Sequence, residues 1–251
     1  MALRWAREGA RIAIADINRE GADETLRLVE EAGGSGLVSP LDVTRDSDWQ
    51  ATHDALREQW GGIDVLVNNA GVASGGRLVD LDMDHWEWIL DINLKGVIRG
   101  CHWFVPDLLA QGSGHIVNIA SFAGIAQVPG MISYNVAKTG VISLSETLRA
   151  ELHETGVGVT VACPSFFQTN LMDSFRGGSD EQKAWVNRVM KRASITADDV
   201  AADIVKAVHI GRFLVVSHRD ARWHHRIKRL SPEGYFRQLI KASKRMAQPR
   251  S

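Results

Sequence analysis

Two hydrophobic patterns alternate along this chain. Short, mostly apolar runs predict strands that are buried on both faces, and they occupy residues 11–15, 37–41, 63–67, 115–120, 157–163 and 213–216. Between them, apolar residues recur every three or four positions, which is the spacing of one helix face. These segments cover residues 2–8, 19–32, 44–60, 82–109, 134–152 and 197–209. The alternation predicts an α/β protein with a mostly parallel sheet and helices on both of its faces.

The composition fits one domain of this class. The chain has 251 residues, of which 45% are hydrophobic and 24% are charged, as in an ordinary globular protein. We find no apolar run of about eighteen residues that predicts a membrane span, and no cationic region followed by an apolar core at the N-terminus. Cys101 and Cys163 lie far apart in apolar surroundings, so both are expected to be buried free thiols of a cytoplasmic protein.

Basic charge is concentrated at the C-terminus. The net charge is −1, but residues 218–251 hold ten Lys or Arg against two acids, which leaves a body of charge −9. Apolar spacing in this tail predicts two amphipathic helices split at Pro232, a basic helical extension to a domain spanning residues 1–217. A basic amphipathic helix can lie on an anionic membrane. Docking on its own subunit or on a neighbouring one is the favoured expectation.

Two other ligand classes receive little support from the tail. His218, His224 and His225 have no acid or Cys beside them at the spacing of metal ligands, so no metal site is expected. Positive charge is the only feature of the tail that favours nucleic acid, and no nucleic acid partner is expected.

Candidate chemistry is concentrated between residues 121 and 138. Tyr134 and Lys138 are four residues apart, which places both side chains on one face of a helix. A lysine ammonium beside a phenol favours the phenolate, so the pKa of Tyr134 is expected to lie below its ordinary value. Ser121 follows the apolar run 115–120 and therefore lies at the end of a strand, where open α/β sheets bind ligands. Taken alone, the Tyr and Lys spacing also arises by chance on solvated helices.

A longer ordered set of residues resembles the short-chain dehydrogenase/reductase family from residue 1 to about residue 216. The set comprises Asn68, Asn69, Ala70, Gly71, Asn93, Ser121, Tyr134, Lys138, Pro164 and Thr169. The resemblance implies a single-domain, Rossmann-like, doubly wound fold. It also implies an NAD(P)-dependent oxidoreductase that interconverts an alcohol and a ketone without a metal. In the family the long helices pair subunits, which implies a homodimer or homotetramer.

The resemblance also implies roles for the catalytic residues. Tyr134 would be the acid/base, and Ser121 would bond and orient the reacting oxygen. Lys138 would lower the pKa of Tyr134 and bond the cofactor ribose. Asn93 would hold a water in the proton relay, although an Asn inside an apolar helix is also explained as a core amide bonded to neighbouring backbone.

The remaining matched positions imply cofactor contacts. Asp42 and Val43 would lie against the adenine, and Thr169 would bond the nicotinamide carboxamide. The backbone of Asn69, Ala70, Gly71 and Pro164 would also approach the cofactor. Asp16 ends the first predicted strand, where its charge would accept hydrogen bonds from ribose hydroxyls and repel a 2′-phosphate, which favours NAD over NADP. Arg19 argues the other way, because an Arg can accommodate that phosphate.

One departure from the family lies at the start of the sequence. Family members begin with a strand and a glycine-rich phosphate turn, and neither precedes the helix predicted at 2–8. The glycine cluster at 33–36 follows a helix and is predicted to be a helix stop. Without a central strand, two apolar strands would lie about 10 Å apart with unpaired backbone groups between them.

Two interpretations of this departure are open. Either the start has been cut short, for instance by a misassigned initiation codon, or the protein is a catalytically impaired, oligomeric binding or scaffold protein. We favour the first interpretation, because every catalytic position downstream is intact.

The segment 171–192 is expected to be a mobile lid over the substrate. It and the residues before it are rich in apolar and aromatic side chains, namely Phe166, Phe167, Leu171, Met172, Phe175 and Trp185. This composition favours a hydrophobic secondary alcohol or ketone as the substrate.

Overall fold

Eight parallel strands form the sheets of this protein. The computed structural model describes residues 1–247, with side chains at all of these positions except 219, 220 and 242–247. The strands are β1 (Arg11–Asp16), β2 (Ser35–Pro40), β3 (Val65–Asn68), β4 (Ser74–Gly75), β5 (Gly114–Ile119), β6 (Val157–Ala162), β7 (Arg176–Gly177) and β8 (Leu214–Val215). The α/β class predicted from the alternating pattern is confirmed, and each predicted apolar run overlaps a strand.

Helices connect these strands. They are α1 (Ala2–Arg7), α2 (Arg19–Glu31), α3 (Asp46–Trp60), α4 (Met83–Leu90), α5 (Gly96–Gln111), α6 (Phe122–Ala126), α7 (Ile132–Glu151), α8 (Asp180–Lys191), α9 (Ala197–His209), α10 (Arg219–Leu230) and α11 (Pro232–Ala247). Short 3-10 turns lie at Leu78–Asp80 and Asn170–Ser174. Residues 248–251 of the predicted tail lie outside the described part of the chain.

The main strands form two separate sheets. One contains β1 and β2, the other has the order β3-β5-β6-β8, and every pairing is parallel. Within residues 1–247, β1 pairs with β2 alone and β3 pairs with β5 alone. Unpaired strand edges at this point were expected from the sequence. A third, small sheet joins β4 to β7.

Helix α1 links the two main sheets. It packs against α2 and β1 on one side and against α9 on the other. The Arg4 guanidinium forms two bonds to the Asp198 carboxylate on α9, at 2.6 and 2.9 Å. A second contact, 3.1 Å long, joins Glu8 to His209 at the end of α9. Within residues 1–247 no ladder of strand hydrogen bonds joins the two sheets, and they are connected by α1 with its ion pairs and by the packing of α3 on α5.

The core lies on both faces of the four-stranded sheet. Ile116 and Val117 are consecutive and fully buried, and they belong to two different hydrophobic clusters. Successive strand residues point to opposite faces, so β5 is covered by α5 and α7 on one face and by α9 on the other. This environment explains why the predicted strands read as nearly continuous apolar runs.

The predicted helix 82–109 is interrupted. Between α4 and α5 the chain forms a π-helical turn, Asp91–Lys95, with Asn93 buried inside it. A π turn adds a residue to a helix and frequently marks a functional site, and apolar spacing gives no sign of it.

One predicted boundary was wrong. The helix predicted at 44–60 begins only at Asp46, because the hydroxyl of Thr44, a residue type suited to capping, donates instead to the Asp42 carboxylate at 2.7 Å. The helix stop predicted at the glycine cluster 33–36 is confirmed, since α2 ends at Glu31, but the turn is short because β2 already begins at Ser35.

The C-terminal tail forms the two helices predicted on either side of Pro232. Both pack on α6, where the Lys228 ammonium donates to the Ile125 carbonyl and the Tyr235 hydroxyl donates to the Ala126 carbonyl. Among residues 1–247, the helices are all too short or too polar to cross a bilayer.

Candidate active site

Ser121 is fixed where β5 ends. It is the N-cap of α6, and its hydroxyl accepts a hydrogen bond from the Ala123 amide at 3.1 Å. The residue before it donates to Ala162 and the residue after it donates to Pro164, both at 2.8 Å, so the ends of β5 and β6 are bonded together. The serine hydroxyl therefore has little freedom to move.

Tyr134 lies in the first turn of α7, buried among Ile89 and Met131. The next residue, Asn135, holds the preceding loop by donating to the Val128 carbonyl at 2.8 Å. The Tyr134 and Ser121 side chains line the same small cavity, and the Ser121 side chain lies close enough to affect the pKa of the phenol. The structure thus brings these two predicted hydroxyls together, although thirteen residues separate them along the chain.

The pKa of Tyr134 lies above its ordinary value, in contrast to the sequence expectation. Burial raises it because the phenolate loses solvation, and the nearby Ser121 side chain lowers it by less. Lys138 is not among the groups that shift this pKa, and its ammonium lies 5.9 Å from the centre of the phenol ring, so the proposed effect of Lys138 stays a prediction. The free protein therefore holds Tyr134 as the neutral phenol at neutral pH.

Lys138 is a buried cation without a carboxylate partner among the described side chains. Its ammonium donates to the Ile119 carbonyl at 2.9 Å, and burial lowers its pKa to about 8. Two of its three donor hydrogens are left for other partners. A hydroxyl group of a ligand at this position would offer the acceptor that the protein does not provide.

Asn93 is bonded to the backbone of Val72 in both directions. Its amide oxygen accepts from the Val72 amide, and its amide nitrogen donates to the Val72 carbonyl, each at 2.8 Å. This geometry agrees with the second explanation offered for Asn93, a buried amide that holds neighbouring backbone. A Cβ on Gly71 would lie 3.0 Å from Asn93 Oδ1 and 3.3 Å from Lys138 Nζ, so only glycine leaves the space between them open.

A small apolar cavity of about 90 Å³ adjoins both hydroxyls. Its walls come from the loops after β3, β5 and β6 and from the segment 171–190. The lining residues are Ala73, Ser121, Phe122, Ala123, Val128, Met131, Tyr134, Ser165, Phe166, Phe167, Thr169, Leu171, Met172, Phe175, Val186 and Met190. All of them are uncharged, so the cavity suits an uncharged part of a ligand.

The predicted lid covers this cavity. It includes α8, from which Val186 and Met190 reach the wall. The lid is attached by the pairing of β7 with β4 and by a hydrogen bond of 2.6 Å from the Gln182 side chain to the Gly130 carbonyl.

Two further predicted residues lie at the ends of β1 and β2. Asp16 is exposed, and one of its oxygens accepts from the Asn18 amide. Asp42 accepts hydrogen bonds from the Thr44 backbone and hydroxyl, which hold the pKa of its carboxyl below the ordinary value. Beside it, the Val43 carbonyl accepts from Arg99 at 3.3 Å, which ties this loop to α5.

The arrangement fits part of a dinucleotide. Asp16, Asp42 and the loop 69–71 follow β1, β2 and β3, while Pro164 and Thr169 follow β6, so all lie at carboxyl ends of parallel strands. The Lys138 ammonium and the exposed Asp16 carboxylate provide the donor and acceptor that ribose hydroxyls need. Within residues 1–247, no glycine-rich turn follows a strand and opens a helix to hold a pyrophosphate.

Two supports of the site were not predicted. His218 bonds the Phe166 carbonyl at 2.9 Å, and its other ring nitrogen faces the Ser165 amide at 3.3 Å, so it clips the loop that leads to Thr169. Ser74 bonds both His85, at 2.6 Å, and Ser133, at 2.8 Å, next to Tyr134. These contacts join residues more than ten positions apart, so the spacing of residues in the sequence could not predict them.

The sequence matches known proteins over most of its length. A family model described as short chain dehydrogenase matches residues 1–180. FabG of Thermotoga maritima, named a 3-oxoacyl-acyl-carrier-protein reductase, is 36% identical over 174 residues, covering 68% of this chain and 70% of FabG. EphD of Mycobacterium tuberculosis, named a probable oxidoreductase, is 34% identical over 216 residues, 82% of this chain. The chain spans only 36% of the length of EphD.

Solved structures have the same fold. A short-chain dehydrogenase/reductase from Burkholderia phymatum in complex with NAD superposes with a TM-score of 0.84 at 30% identity, covering 100% of this chain and 92% of that one. The apo form of LigD from Sphingobium has a TM-score of 0.75 at 25% identity, covering 99% and 92% of the two chains.

Proposed function

Because this chain belongs to the short-chain dehydrogenase/reductase family, we propose that it interconverts a hydrophobic secondary alcohol and its ketone with NAD as the hydride carrier. The observation that carries the proposal is the pair of hydroxyl side chains, Ser121 and Tyr134, at the wall of one uncharged cavity. A substrate oxygen between them would meet a proton donor and an orienting hydroxyl at once.

The proton is assigned to Tyr134. In the reduction direction its phenol donates a proton to the carbonyl oxygen, and in the oxidation direction the phenolate takes it back from the alcohol. The raised pKa of the free protein keeps the phenol protonated at neutral pH, which suits donation. Ser121 holds the same oxygen through its hydroxyl, and its place as the N-cap of α6 keeps it oriented.

Lys138 and Asn93 act behind these hydroxyls. The two unused donor hydrogens of Lys138 would hold a ribose hydroxyl of the cofactor. Asn93 retains one amide hydrogen beyond its bonds to Val72, which we assign to a water that completes the proton relay. Bound NAD would accept or supply the hydride.

NAD is preferred to NADP for two reasons. The exposed Asp16 carboxylate at the end of β1 would accept bonds from ribose hydroxyls and repel a 2′-phosphate. Arg19, the residue that argued for NADP, forms an ion pair with Asp23 at 2.9 Å and is therefore engaged elsewhere. The NAD complex of the Burkholderia phymatum relative is consistent with this choice.

The oligomer is proposed to form through α5 and α7. Each helix exposes an apolar side chain, Ile98 and Val136 respectively, and a homodimer or homotetramer would cover them.

Replacement of Tyr134 by Phe tests the proposed reaction. The change removes the proton donor, so we expect kcat to fall by about a thousandfold while the dissociation constant for NAD stays unchanged. The matched control is Tyr235→Phe, the same chemical change at the other tyrosine of the chain, which bonds the Ala126 carbonyl outside the cavity. NAD oxidation state is followed by absorbance with a panel of hydrophobic ketones. Substantial turnover by the Tyr134→Phe variant would contradict the assignment of the proton to Tyr134.

A second candidate is a non-catalytic binding or scaffold protein. It is motivated by the edges of β1 and β3 that have no strand partner within residues 1–247, and by the absence there of a glycine-rich turn that would hold a pyrophosphate. Calorimetry with NAD separates the two candidates. It is carried out on the 251-residue chain and, in parallel, on the protein encoded by the longest open reading frame that contains it. Binding by either form supports the enzyme, and binding by neither supports the scaffold.

A further inference from the structure

The C-terminal helices use one face to hold the body of the chain. On α10, Ala221 is buried and the Lys228 ammonium donates to the Ile125 carbonyl at 2.6 Å. On α11, the buried Tyr235 hydroxyl donates to the Ala126 carbonyl at 3.0 Å. Both carbonyls belong to α6, so the docked face of each helix is fixed. The exposed side chains lie on the remaining faces. Two of them also meet the body, since Arg229 lies 3.6 Å from Glu146 on α7 and Trp223 borders a cleft lined by Phe166 and Val189.

The outward face of α10 carries both cations and large apolar side chains. Its exposed side chains are Arg222, Trp223, Arg226, Arg229 and Leu230. The intervals of one, four, seven and eight residues from the first member place all five on one side of a helix. Trp223 is 55% exposed and Leu230 is 86% exposed. Exposed apolar residues carry information when they cluster, as these do.

Helix α11 continues the same surface. Phe236 is 56% exposed, and Arg237 and Lys241 are exposed beside it. The two helices pack against each other, and we call their exposed side chains together the tail face. It comprises Arg222, Trp223, Arg226, Arg229, Leu230, Phe236, Arg237 and Lys241. Glu233 is the one acid among the described side chains of α10 and α11.

This combination matches the chemistry of an anionic bilayer surface. Aromatic and aliphatic side chains enter the boundary between headgroups and acyl chains, and cations beside them pair with anionic headgroups. Trp in particular is enriched at membrane interfaces. The opposite charge of the rest of the chain, −9 before residue 218, would be repelled by the same membrane. The charge distribution therefore favours one orientation, with the tail face toward the lipid.

From these observations we propose that the tail face binds the surface of an anionic phospholipid bilayer. The helices lie along the membrane without crossing it, in accordance with their length and polarity. This binding is separate from the proposed reaction and does not require it. It also differs from docking on the body of the chain, because Lys228 and Tyr235 hold the body, whereas Arg222, Arg226, Leu230 and Phe236 are exposed.

Co-sedimentation with vesicles tests the proposal on the full 251-residue chain. We expect binding to vesicles of phosphatidylcholine with one third phosphatidylserine, and much weaker binding to phosphatidylcholine alone. Arg222→Glu/Arg226→Glu reverses two charges on the tail face and should weaken binding on the order of a hundredfold. Trp223→Ser/Leu230→Ser removes the apolar anchors and should weaken binding at least about tenfold.

Matched controls change the same chemistry elsewhere. Arg7→Glu/Lys206→Glu makes the same charge change on exposed positions of α1 and α9, and Leu78→Ser/Val79→Ser removes two exposed apolar side chains far from the tail in sequence. Both controls should bind anionic vesicles like the unchanged chain. Circular dichroism verifies that all variants are folded.

Three outcomes would overturn the proposal. The unchanged chain could stay in the supernatant with anionic vesicles. The tail variants could sediment as well as the controls. Finally, light scattering without lipid could show that Trp223→Ser/Leu230→Ser lowers the molecular mass, which would make the tail face an interface between two copies of this chain.

Discussion

The two main sheets contain similar apolar strands in very different surroundings. In the four-stranded sheet, four of the six residues of β5 are buried, and helices cover both faces. In the two-stranded sheet, no residue of β1 is buried, and Ser39 is the one buried residue of β2. The first sheet is a core element, whereas the second is half-solvated and is joined to it by α1 and by the packing of α3 on α5.

This difference divides the proposed function between the sheets. Ser121 follows a buried strand, and Tyr134 and Lys138 pack beside it, so their reactivity is set by loss of solvent. Asp16 ends one half-solvated strand and Asp42 follows the other, so the proposed nucleotide recognition would depend on charge near the surface. Chemistry in the first region should be hard to change without altering stability, while recognition in the second should change independently of it.

A matched pair of core truncations gives the largest expected effect. Ile116 is fully buried in β5, and Ile14 is only half-buried in β1. Ile116→Ala should lower the free energy of unfolding by about 4 kcal/mol, and Ile14→Ala by about 1 kcal/mol, because only the first leaves a closed cavity. Urea denaturation measures both values. Equal losses would show that the two sheets are packed equally well and would remove the basis of the comparison.

A charge change at the second sheet gives the next effect. Asp16→Asn removes the carboxylate that would repel a 2′-phosphate, so the preference for NAD over NADP should fall by roughly ten- to a hundredfold. Because Asp16 is exposed, the free energy of unfolding should change by less than about 0.5 kcal/mol. Asp203→Asn, at an exposed position of α9, is the control for loss of one charge. The comparison is weakened if Asp16→Asn alters stability instead of the nucleotide preference, as measured by calorimetry with each nucleotide.

The smallest expected effect comes from Lys138→Met, which should change the free energy of unfolding and the affinity for NAD in opposite directions. Replacing it with Met removes a buried charge but also the bond to the Ile119 carbonyl. We expect the variant to be more stable at pH 7 by about 1–2 kcal/mol and to bind NAD more weakly.

The pH dependence of this variant follows from the lowered pKa of Lys138. In the folded protein that pKa is about 8, against an ordinary value of 10.5. Between these values the unfolded chain binds more protons, so the unchanged protein gains stability as the pH rises through this window. The advantage of Lys138→Met should therefore be largest below pH 8 and shrink toward pH 10.5. Unfolding in urea at both ends of the window checks the sign, with exposed Lys206→Met as the control. A variant less stable than the unchanged protein at pH 7 would mean that the lost hydrogen bond outweighs the buried charge.

The order of the elements was readable from the sequence because parallel strands buried on both faces leave long apolar runs. Boundaries were less accurate where side chains compete for backbone bonds. Thr44 has the side chain of a helix cap, yet the nearby carboxylate of Asp42 takes its hydroxyl. The split at Pro232 was predicted correctly, because proline favours the first position of a helix and disfavours its interior.

The candidate site was predicted residue by residue through resemblance, but its electrostatics were not. The four-residue spacing of Tyr134 and Lys138 indicates a shared helix face and says nothing of the depth at which that face is buried. Burial reverses the expected direction of the Tyr134 pKa. The hydrogen bonds of His218 to the loop at 165–166 were not predicted either, because they join residues about fifty positions apart in the sequence.

The π turn at Asp91–Lys95 also determines where this protein can lose one residue and keep its fold. Removing one residue from the middle of α5 would turn everything after it by about 100° and move Phe104 and Leu108 out of the core. Removing one residue from the π turn would instead let the segment close as a regular helix, with both flanks still facing the core. Natural chains that are one residue shorter at this point should keep the fold and lose the amide that Asn93 places against Val72.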